Sequence, residues 1–388
     1  MKPSVAHLPG AILALLLLHL GCGQDSRPRS VAAIQNPFPV GVLFAYWEDS
    51  SRTDPHVPGP GNERAMSVQL WYPAADTGGL SARYLPGQEV LARSQADLPR
   101  PELFARMVAQ TTSARLRAPV DPSAERFPLV LFSPALGGHS SLYTAFAERL
   151  AAQGYVVLGV NHKYESPYLL DAAGRLISPD HRYWDSIQSL KIPDQISAEQ
   201  YRQLRGERIA VYAQDLRFCL DRLAMLDDSL FAGRLDLDHI GIFGHSLGGA
   251  VAIDLCRLDP RCAACLNMDG TPSYHALSDS LAVPFLFLEE MELDFTQPGK
   301  QIVYERREGF CRRVQGKAYR VLLDRAEHDG FSEERLLLAD DREEQTAARR
   351  QLAHSAGFVQ TFFDRHLRGL PAEGLEARET DSLIIQTF

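Results

Sequence analysis

Residues 240–250 read Ile-Gly-Ile-Phe-Gly-His-Ser-Leu-Gly-Gly-Ala, a run that predicts a strand passing through a tight turn into a helix. At its centre, Gly244-His245-Ser246-Leu247-Gly248 has the pattern Gly-x-Ser-x-Gly. This pattern is typical of a nucleophile elbow, in which the strand and the helix pack so closely that the flanking residues must be glycine. We therefore predict that Ser246 is a nucleophile at the amino end of a helix, where the helix dipole favours negative charge.

The rest of the chain predicts that this turn belongs to a mostly parallel sheet. Apolar or alternating runs predict strands at Met66–Tyr72, Leu129–Phe132, Tyr155–Val160, His239–Phe243, Ala263–Met268, Pro284–Leu288 and Ala318–Leu323. Helical spacing predicts helices at Leu142–Ala152, Ala198–Met225, Leu247–Arg257 and Gln345–Leu367. Because strands and helices alternate at short spacing, we expect one α/β domain over residues 63–388, with helices on both faces of the sheet.

Two parts of this domain lack such regularity. Residues 74–127 contain many prolines and glycines and predict long loops with one helix near Glu102–Gln110. Residues 164–200 are polar, carry several aromatic side chains and predict an insertion. Its aromatic residues are expected to pack on the core, with an acyl pocket or a lipid surface as the alternative.

A nucleophilic serine requires a general base, and His328 is the predicted one. It follows the last predicted strand by a few residues and therefore stands in a loop at the carboxyl edge of the sheet, where Ser246 also lies. Other histidines occupy positions that favour structural, loop or surface roles, namely His162, His275, His354 and His366.

Two strand ends compete for the acid that orients the base. Asp269 follows the strand Ala263–Met268 and precedes Gly270, which suits a tight turn that presents a carboxylate. Glu289 and Glu290 follow the next strand, and spacing along the chain decides little between the two positions. We favour Asp269 as the acid, with Glu289 or Glu290 as the alternative.

The tetrahedral intermediate of an acyl transfer carries an oxyanion, which backbone N–H groups must meet. Leu247, directly after the nucleophile, is the first predicted donor. The second is expected from Ser133-Pro134-Ala135-Leu136-Gly137-Gly138, whose glycines let the backbone turn its amides toward the site, and Leu136 is the best placed. A Gly-Gly turn without a catalytic role is the alternative.

Four segments resemble the platelet-activating-factor acetylhydrolase family, namely Gly244–Ala250, Phe132–Gly137, Val160–Lys163 and the pair Tyr72-Pro73. That family comprises serine-dependent, calcium-independent hydrolases in the dienelactone-hydrolase-like branch of the α/β-hydrolases. The resemblance implies an α/β-hydrolase fold, an acid at Asp269, a histidine at His328, and neither a metal nor another cofactor. The chain departs from the family at Pro134-Ala135, where members have His-Gly, and this leaves the backbone donor at Leu136 in place.

The resemblance also implies the activity of a serine carboxylic ester hydrolase that acts through an acyl-enzyme. Expected substrates are short acyl esters, including sn-2 acetyl or oxidised chains of phospholipids. General small esters, lactones and polyester oligomers remain alternatives, as do an acyltransferase with the same residues and a non-catalytic lipoprotein that uses the fold for binding.

The amino terminus predicts export. Lys2 and His7 precede the apolar run Ala11–Leu20, which at ten residues is too short to span a bilayer and suits a signal peptide. Leu20-Gly21-Cys22 resembles a bacterial lipobox, so Cys22 is a candidate for lipidation and residues 1–22 for removal. Lipidation would anchor the protein to the cell envelope, and simple cleavage would make it periplasmic or secreted. Residues 23–62 predict a tether and an irregular lead-in to the domain.

The charge composition of the chain restricts the classes of molecule that it is expected to bind. The 388 residues include 40 basic and 49 acidic ones, a net charge of −9, and no basic block that would follow a phosphate backbone. Nucleic acid is therefore not an expected partner, and anionic membranes would not attract the chain electrostatically. The oligomeric state is left open.

Six cysteines are compatible with export, because disulfides form in oxidising compartments. The spacing favours a local disulfide between Cys256 and Cys262, with buried free cysteines as the alternative. A metal cluster that included Cys265 would lack a fourth ligand at suitable spacing, and no metal site is predicted.

Overall fold

The computed structural model describes residues 37–55, 57–75, 78–94, 98–179, 197–273, 276–277, 279–291, 296, 298–371, 373–380 and 382–388. The predicted signal peptide and lipobox at 1–22, including Cys22, lie outside the described residues. So do residues 23–36 of the predicted tether, residues 180–196 of the predicted insertion, and His275.

The described strands, in chain order, are β1 (Val40–Thr53), β2 (Glu63–Pro73), β3 (Ser81–Arg83), β4 (Thr111–Leu116), β5 (Phe127–Ser133), β6 (Val156–His162), β7 (Leu169–Leu170), β8 (Leu176–Ile177), β9 (Leu235–His245), β10 (Cys262–Met268), β11 (Phe285–Glu290), β12 (Ala318–Leu323), β13 (Arg378–Thr380) and β14 (Leu383–Thr387). The helices are α1 (Gln88–Ser94), α2 (Pro101–Val108), α3 (Thr144–Ala152), α4 (Ala198–Phe231), α5 (Leu247–Leu258), α6 (Pro298–Arg313), α7 (Glu334–Leu338) and α8 (Arg342–Arg368). Single 3-10 turns stand at Ser140–Tyr143 and His328–Phe331.

In the described part of the chain, twelve strands form one sheet in the order β13-β14-β12-β11-β10-β9-β5-β6-β2-β1-β4-β3. The six strands from β12 to β6 run parallel to one another. Antiparallel strands flank them, β14 beside β12 and β2 beside β6. Since the parallel strands all end at one edge, the residues that follow β5, β9, β10 and β12 are brought together there.

Helices cover both faces of the parallel strands, which explains why these strands read as continuous apolar runs. One apolar core includes Phe146 of α3 and Phe363 of α8, and the other includes Leu216 of α4 and Val251 of α5. The seven predicted strands and four predicted helices are all present, within a few residues of their predicted bounds. None of the helices in the described part of the chain is long and apolar enough for a bilayer crossing.

Residues 40–53 correct the prediction of an irregular lead-in, because they form β1 and pair with β2 from Val40 opposite Pro73 to Thr53 opposite Glu63. This segment lacks the alternation of buried and exposed residues that is typical of a strand: Val40, Gly41 and Val42 are all buried, and four half-buried residues follow. Its conformation is determined by pairing with the next strand of the chain, not by an alternating pattern of its own.

Residues 74–127 contain the predicted helix as α2, but they also contain β3, α1 and β4, which the sequence did not predict. The two strands pair with each other, and β4 extends the sheet beyond β1. Strand β3 forms the edge of the sheet and β4 lies beside it. Both are short and most of their residues are exposed or half-buried, so they carry little apolar signal.

Candidate active site

Ser246 stands in a strained turn between β9, which ends at His245, and α5, which begins at Leu247. Its φ of 55° and ψ of −118° lie outside the regions that ordinary residues favour. A Cβ at Gly244 would overlap the carbonyl group of Gly248, and a Cβ at Gly248 would overlap the carbonyl oxygen of Ser133. The two flanking glycines are therefore required by close packing, and the turn holds Ser246 at the carboxyl edge of the sheet.

Asp269 and His328 meet at the same edge. Asp269 directly follows β10 with a φ of 52°, and its Oδ2 lies 2.5 Å from Nδ1 of His328. His328 begins the 3-10 turn after β12 and is 45% exposed, whereas the Asp269 side chain is 2% exposed. Because Nδ1 of His328 is hydrogen-bonded to Asp269, the other ring nitrogen, Nε2, is the one left to act as a base.

The electrostatics of this pair suit an ionised acid and a polarised base. Burial opposes charge on Asp269, but hydrogen bonds and charge from His328 and Arg307 lower the pKa of Asp269 below its ordinary value. Burial also opposes charge on His328, yet the hydrogen bond and charge of Asp269 outweigh it and raise the pKa of His328 above 6.5. The carboxylate therefore stabilises the imidazolium that a proton transfer would create.

Arg307 of α6 holds the acid in place and was not predicted from the sequence. Its Nη1 donates to Oδ1 of Asp269 at 2.7 Å and to Oε2 of Glu289 at 3.0 Å. Arg307 follows Asp269 by 38 residues and belongs to no motif, so the sequence carries no signal for this contact.

The two glutamates predicted as alternative acids differ from Asp269 in their surroundings. Glu289 is buried and binds Nε of Arg320 as well as Arg307. Glu290 is half-buried at the end of β11, and its negative charge is among the influences that raise the pKa of His328. Of the three candidate carboxylates, Asp269 is the one whose hydrogen bond to His328 is found in the structure.

The two predicted oxyanion donors, Leu136 and Leu247, line one cavity together with Ser246 and His328. The cavity has a volume of about 360 Å³. Leu247 is the first residue of α5, and the first N–H groups of a helix have no acceptor within the helix. The N–H of Leu247 is therefore suited to receive an oxyanion.

The side chain of Tyr143 supports the loop that carries Leu136. The hydroxyl of Tyr143 accepts from the N–H of Ala135 at 3.2 Å and lies 2.8 Å from Nδ1 of His245. The N–H of Gly138 donates to the carbonyl oxygen of Ala135 at 2.8 Å, which closes the loop into a turn. The loop at Pro134-Ala135, where the chain departs from the family that it resembles, is thus supported by a side chain of the 3-10 turn.

Of the other histidines, His162 is fully buried at the end of β6, where its Nδ1 lies 2.7 Å from Asp215 and its Nε2 lies 3.4 Å from Oγ of Ser133. Its burial and its contact with Ser133 suit the structural role predicted for it. His354 and His366 lie on α8, as predicted. His354 is exposed, and burial lowers the pKa of His366 to about 4.

Cys256 and Cys262 form a disulfide between the end of α5 and the start of β10. Three buried cysteines, Cys219, Cys265 and Cys311, carry free thiols. In the part of the chain that the structure describes, no three His, Cys, Asp or Glu side chains gather as a metal site requires.

Comparisons with known proteins agree with this architecture. The family model described as "Platelet-activating factor acetylhydrolase, isoform II" matches residues 28–304. The platelet-activating factor acetylhydrolase of Canis lupus familiaris is 24% identical over 261 residues, which cover 61% of this chain and 57% of that protein. The Bos taurus protein of the same name is 25% identical over 256 residues, covering 59% and 55%. The chain thus spans little more than half the length of the curated relatives it matches.

Among solved structures, a ferulic acid esterase from Streptomyces cinnamoneus superimposes with a TM-score of 0.71 and 28% identity. The match covers 92% of this chain and 97% of that one. The fold is the α/β-hydrolase fold that the family resemblance implies.

Proposed function

The chain belongs to the platelet-activating factor acetylhydrolase, isoform II, family, and from this premise we propose that it is a serine carboxylic ester hydrolase that acts through an acyl-enzyme. The observation that carries the proposal is the 2.5 Å contact of His328 with buried Asp269, at the edge of the sheet where a strained turn presents Ser246. A strained serine beside an oriented imidazole is the arrangement that acyl transfer requires.

In the proposed mechanism, Oγ of Ser246 attacks the carbonyl carbon of the ester while Nε2 of His328 takes the hydroxyl proton. The oxyanion that forms accepts hydrogen bonds from the N–H groups of Leu247 and Leu136. When the intermediate collapses, His328 returns the proton to the departing alcohol, and an acyl group remains on Ser246. Water, deprotonated by His328, then releases the acid and restores the hydroxyl.

For the substrate we propose short acyl esters, with an sn-2 acetyl phospholipid as the first candidate. Family membership supports this class, and so does the cavity beside Ser246, whose volume of about 360 Å³ is at the small end of the range for ligand sites. A general small-ester hydrolase is the second candidate, because the match to a ferulic acid esterase covers nearly the whole of both chains.

Chain-length profiling separates these two candidates. Turnover of p-nitrophenyl esters from C2 to C12 would be measured beside that of an sn-2 acetyl phospholipid and of methyl ferulate. A maximum at C2–C4 with phospholipid turnover supports the first candidate. Turnover of methyl ferulate without phospholipid turnover supports the second.

The nucleophile is tested with Ser246→Ala on p-nitrophenyl acetate, and Ser273→Ala, at a buried serine of the loop after Asp269, serves as the matched control. We expect Ser246→Ala to lose turnover by at least about 10³-fold. Undiminished turnover by a folded Ser246→Ala variant would contradict the proposal. If the wild type turns over no ester, the fold serves binding; if an added alcohol diverts most of the acyl product, the enzyme is an acyltransferase.

We further propose that the protein is exported and that Cys22 is its lipid anchor. The charged, apolar and small residues of 1–22 support export, and the disulfide between Cys256 and Cys262 suits an oxidising compartment. Mass spectrometry of the mature amino terminus is the test: a diacylated Cys22 is expected, and an intact Met1 would contradict export.

A further inference from the structure

Three arginines line the cavity that contains Ser246, and two of them have carboxylate partners. Arg100 binds both carboxylate oxygens of Glu334, and Arg208 lies 3.1 Å from Oε2 of Glu165. Arg205 differs from them. Among the described residues its hydrogen-bond partner is a main-chain carbonyl, that of Thr271 at 2.8 Å, and it has no carboxylate within ion-pair distance.

Arg205 is placed close to the reacting groups. Thr271, which anchors its Nη2, follows Asp269 by two residues. Tyr201, Arg205 and Arg208 are four and three residues apart on α4, a spacing that puts them on one face of a helix, and all three line the cavity that His328 also lines. The bond to Thr271 uses one of five guanidinium N–H groups, which leaves donors for a ligand.

The charge of Arg205 is only partly compensated in this position. Burial lowers the pKa of the Arg205 guanidinium, so the cation is less stable there than in water. The acidic residues on the cavity wall are committed elsewhere or exposed: Glu334 binds Arg100, and Asp329 is exposed next to His328. An anion supplied by a substrate would restore the missing stabilisation, because hydrogen bonds between guanidinium and carboxylate or phosphate are among the strongest in proteins.

We propose that Arg205 is a specificity-determining residue that binds an anionic group, a carboxylate or a phosphate, carried by the ester that Ser246 attacks. The inference rests on the proposed ester hydrolase function and narrows its substrate class. Preferred substrates are esters with a negative charge within reach of the cleaved bond, and a neutral ester of the same size is a poorer substrate.

Three acetate esters of one phenol scaffold test this preference: 3-acetoxytoluene, 3-acetoxybenzoate and 3-acetoxyphenyl phosphate. They share the acetyl group and the ring, and they differ in carrying a methyl, a carboxylate or a phosphate. The measured quantity is the ratio of kcat/KM for each anionic ester to kcat/KM for the neutral one, in the wild type, Arg205→Gln, Arg205→Lys and Arg222→Gln. Arg222 is exposed on the same helix about 25 Å away, so its variant controls for net charge.

We expect Arg205→Gln to lower the ratio by about 10- to 100-fold for at least one anionic ester, the effect typical of a hydrogen bond to a charged group. Arg205→Lys should retain part of the ratio, and Arg222→Gln should keep the wild-type value. The ester whose kcat/KM ratio falls more identifies the anionic group, carboxylate or phosphate, that Arg205 binds. Inorganic phosphate and benzoate should be weaker competitive inhibitors of Arg205→Gln than of the wild type. The larger loss should occur for the inhibitor with the same anionic group as the ester whose ratio falls more.

An equal fall of kcat/KM for all three esters in Arg205→Gln would overturn the inference, since it would mean that Arg205 only supports the loop of Thr271. An unchanged ratio would overturn it as well. Both outcomes leave the proposed function standing, provided that Ser246→Ala abolishes turnover of 3-acetoxytoluene. Failure of the wild type to hydrolyse any of the three esters would instead contradict the proposed function.

Discussion

Asp269 and Glu289 are buried carboxylates that share Arg307. Replacing each by its amide tests whether Asp269 is the acid that orients His328 and whether Glu289 stabilises the fold. Asp269→Asn removes the charge that lies 2.5 Å from His328. Glu289→Gln removes the charge that binds Arg320. Both replacements nearly preserve the shape of the side chain, and each leaves Arg307 with one carboxylate partner.

The two variants should fail in different ways. We expect Asp269→Asn to lower kcat by about 10³- to 10⁴-fold, because an amide in this position favours the wrong tautomer of the imidazole. Its free energy of unfolding should fall by about 1.5–3 kcal/mol, the contribution typical of a hydrogen bond between charged groups. Arg320 is 0% exposed, so Glu289→Gln leaves a buried guanidinium whose nearest carboxylate is Glu308 at 3.8 Å. The expected loss of unfolding free energy is about 3–5 kcal/mol.

The assay combines turnover of p-nitrophenyl acetate with urea unfolding of the same preparations. We expect kcat of Glu289→Gln within about tenfold of the wild type in folded protein. The reverse pattern, in which Glu289→Gln loses turnover by about 10³-fold while Asp269→Asn remains active, would refute this reasoning, because Glu289 would then be the catalytic acid.

Three further predictions concern pH and stability. Ser246 needs an uncharged base, and Asp269 raises the pKa of His328. We therefore expect kcat/KM of the wild type to rise with pH through a pKa above 6.5, and this apparent pKa to be lower in Asp269→Asn. An equal pKa in both enzymes would count against the pairing of His328 with Asp269. Burial raises the pKa of Glu333 from 4.5 to about 7, so the stabilisation that its protonated form gives below pH 4.5 is lost as pH rises through 7. Urea unfolding should therefore show Glu333→Gln gaining stability over the wild type between pH 5 and 8, and a constant difference would contradict this. Replacing Cys256 and Cys262 by serine should lower the free energy of unfolding by about 2 kcal/mol, given the short loop that the disulfide closes with a sequence separation of 6; an unchanged thermal midpoint would refute that value.

Sequence patterns were sufficient where local chemistry dictates the structure. The turn at Ser246 requires glycines at 244 and 248, and the buried parallel strands require continuous apolar residues, so both were predictable. That Asp269 and His328 lie close together was predictable because the carboxyl ends of parallel strands meet at one edge.

Contacts between distant segments were not predictable in the same way. Arg307 reaches Asp269 from a helix that carries few apolar residues, and Arg205 reaches Thr271 from the long helix α4. Neither arginine differs in its sequence context from arginines on the surface. Strand β1 escaped prediction for a related reason, since its pairing with β2 replaces the missing alternation.

Peptide mapping by mass spectrometry after reaction with a fluorophosphonate tests most directly whether Ser246 is the nucleophile. We expect one phosphonyl group per chain in the wild type, on the peptide that contains Ser246. We expect no such label in Ser246→Ala, and slower labelling in a His328→Gln variant. A label on another residue, or wild-type labelling by Ser246→Ala, would contradict the assignment of Ser246 as the nucleophile.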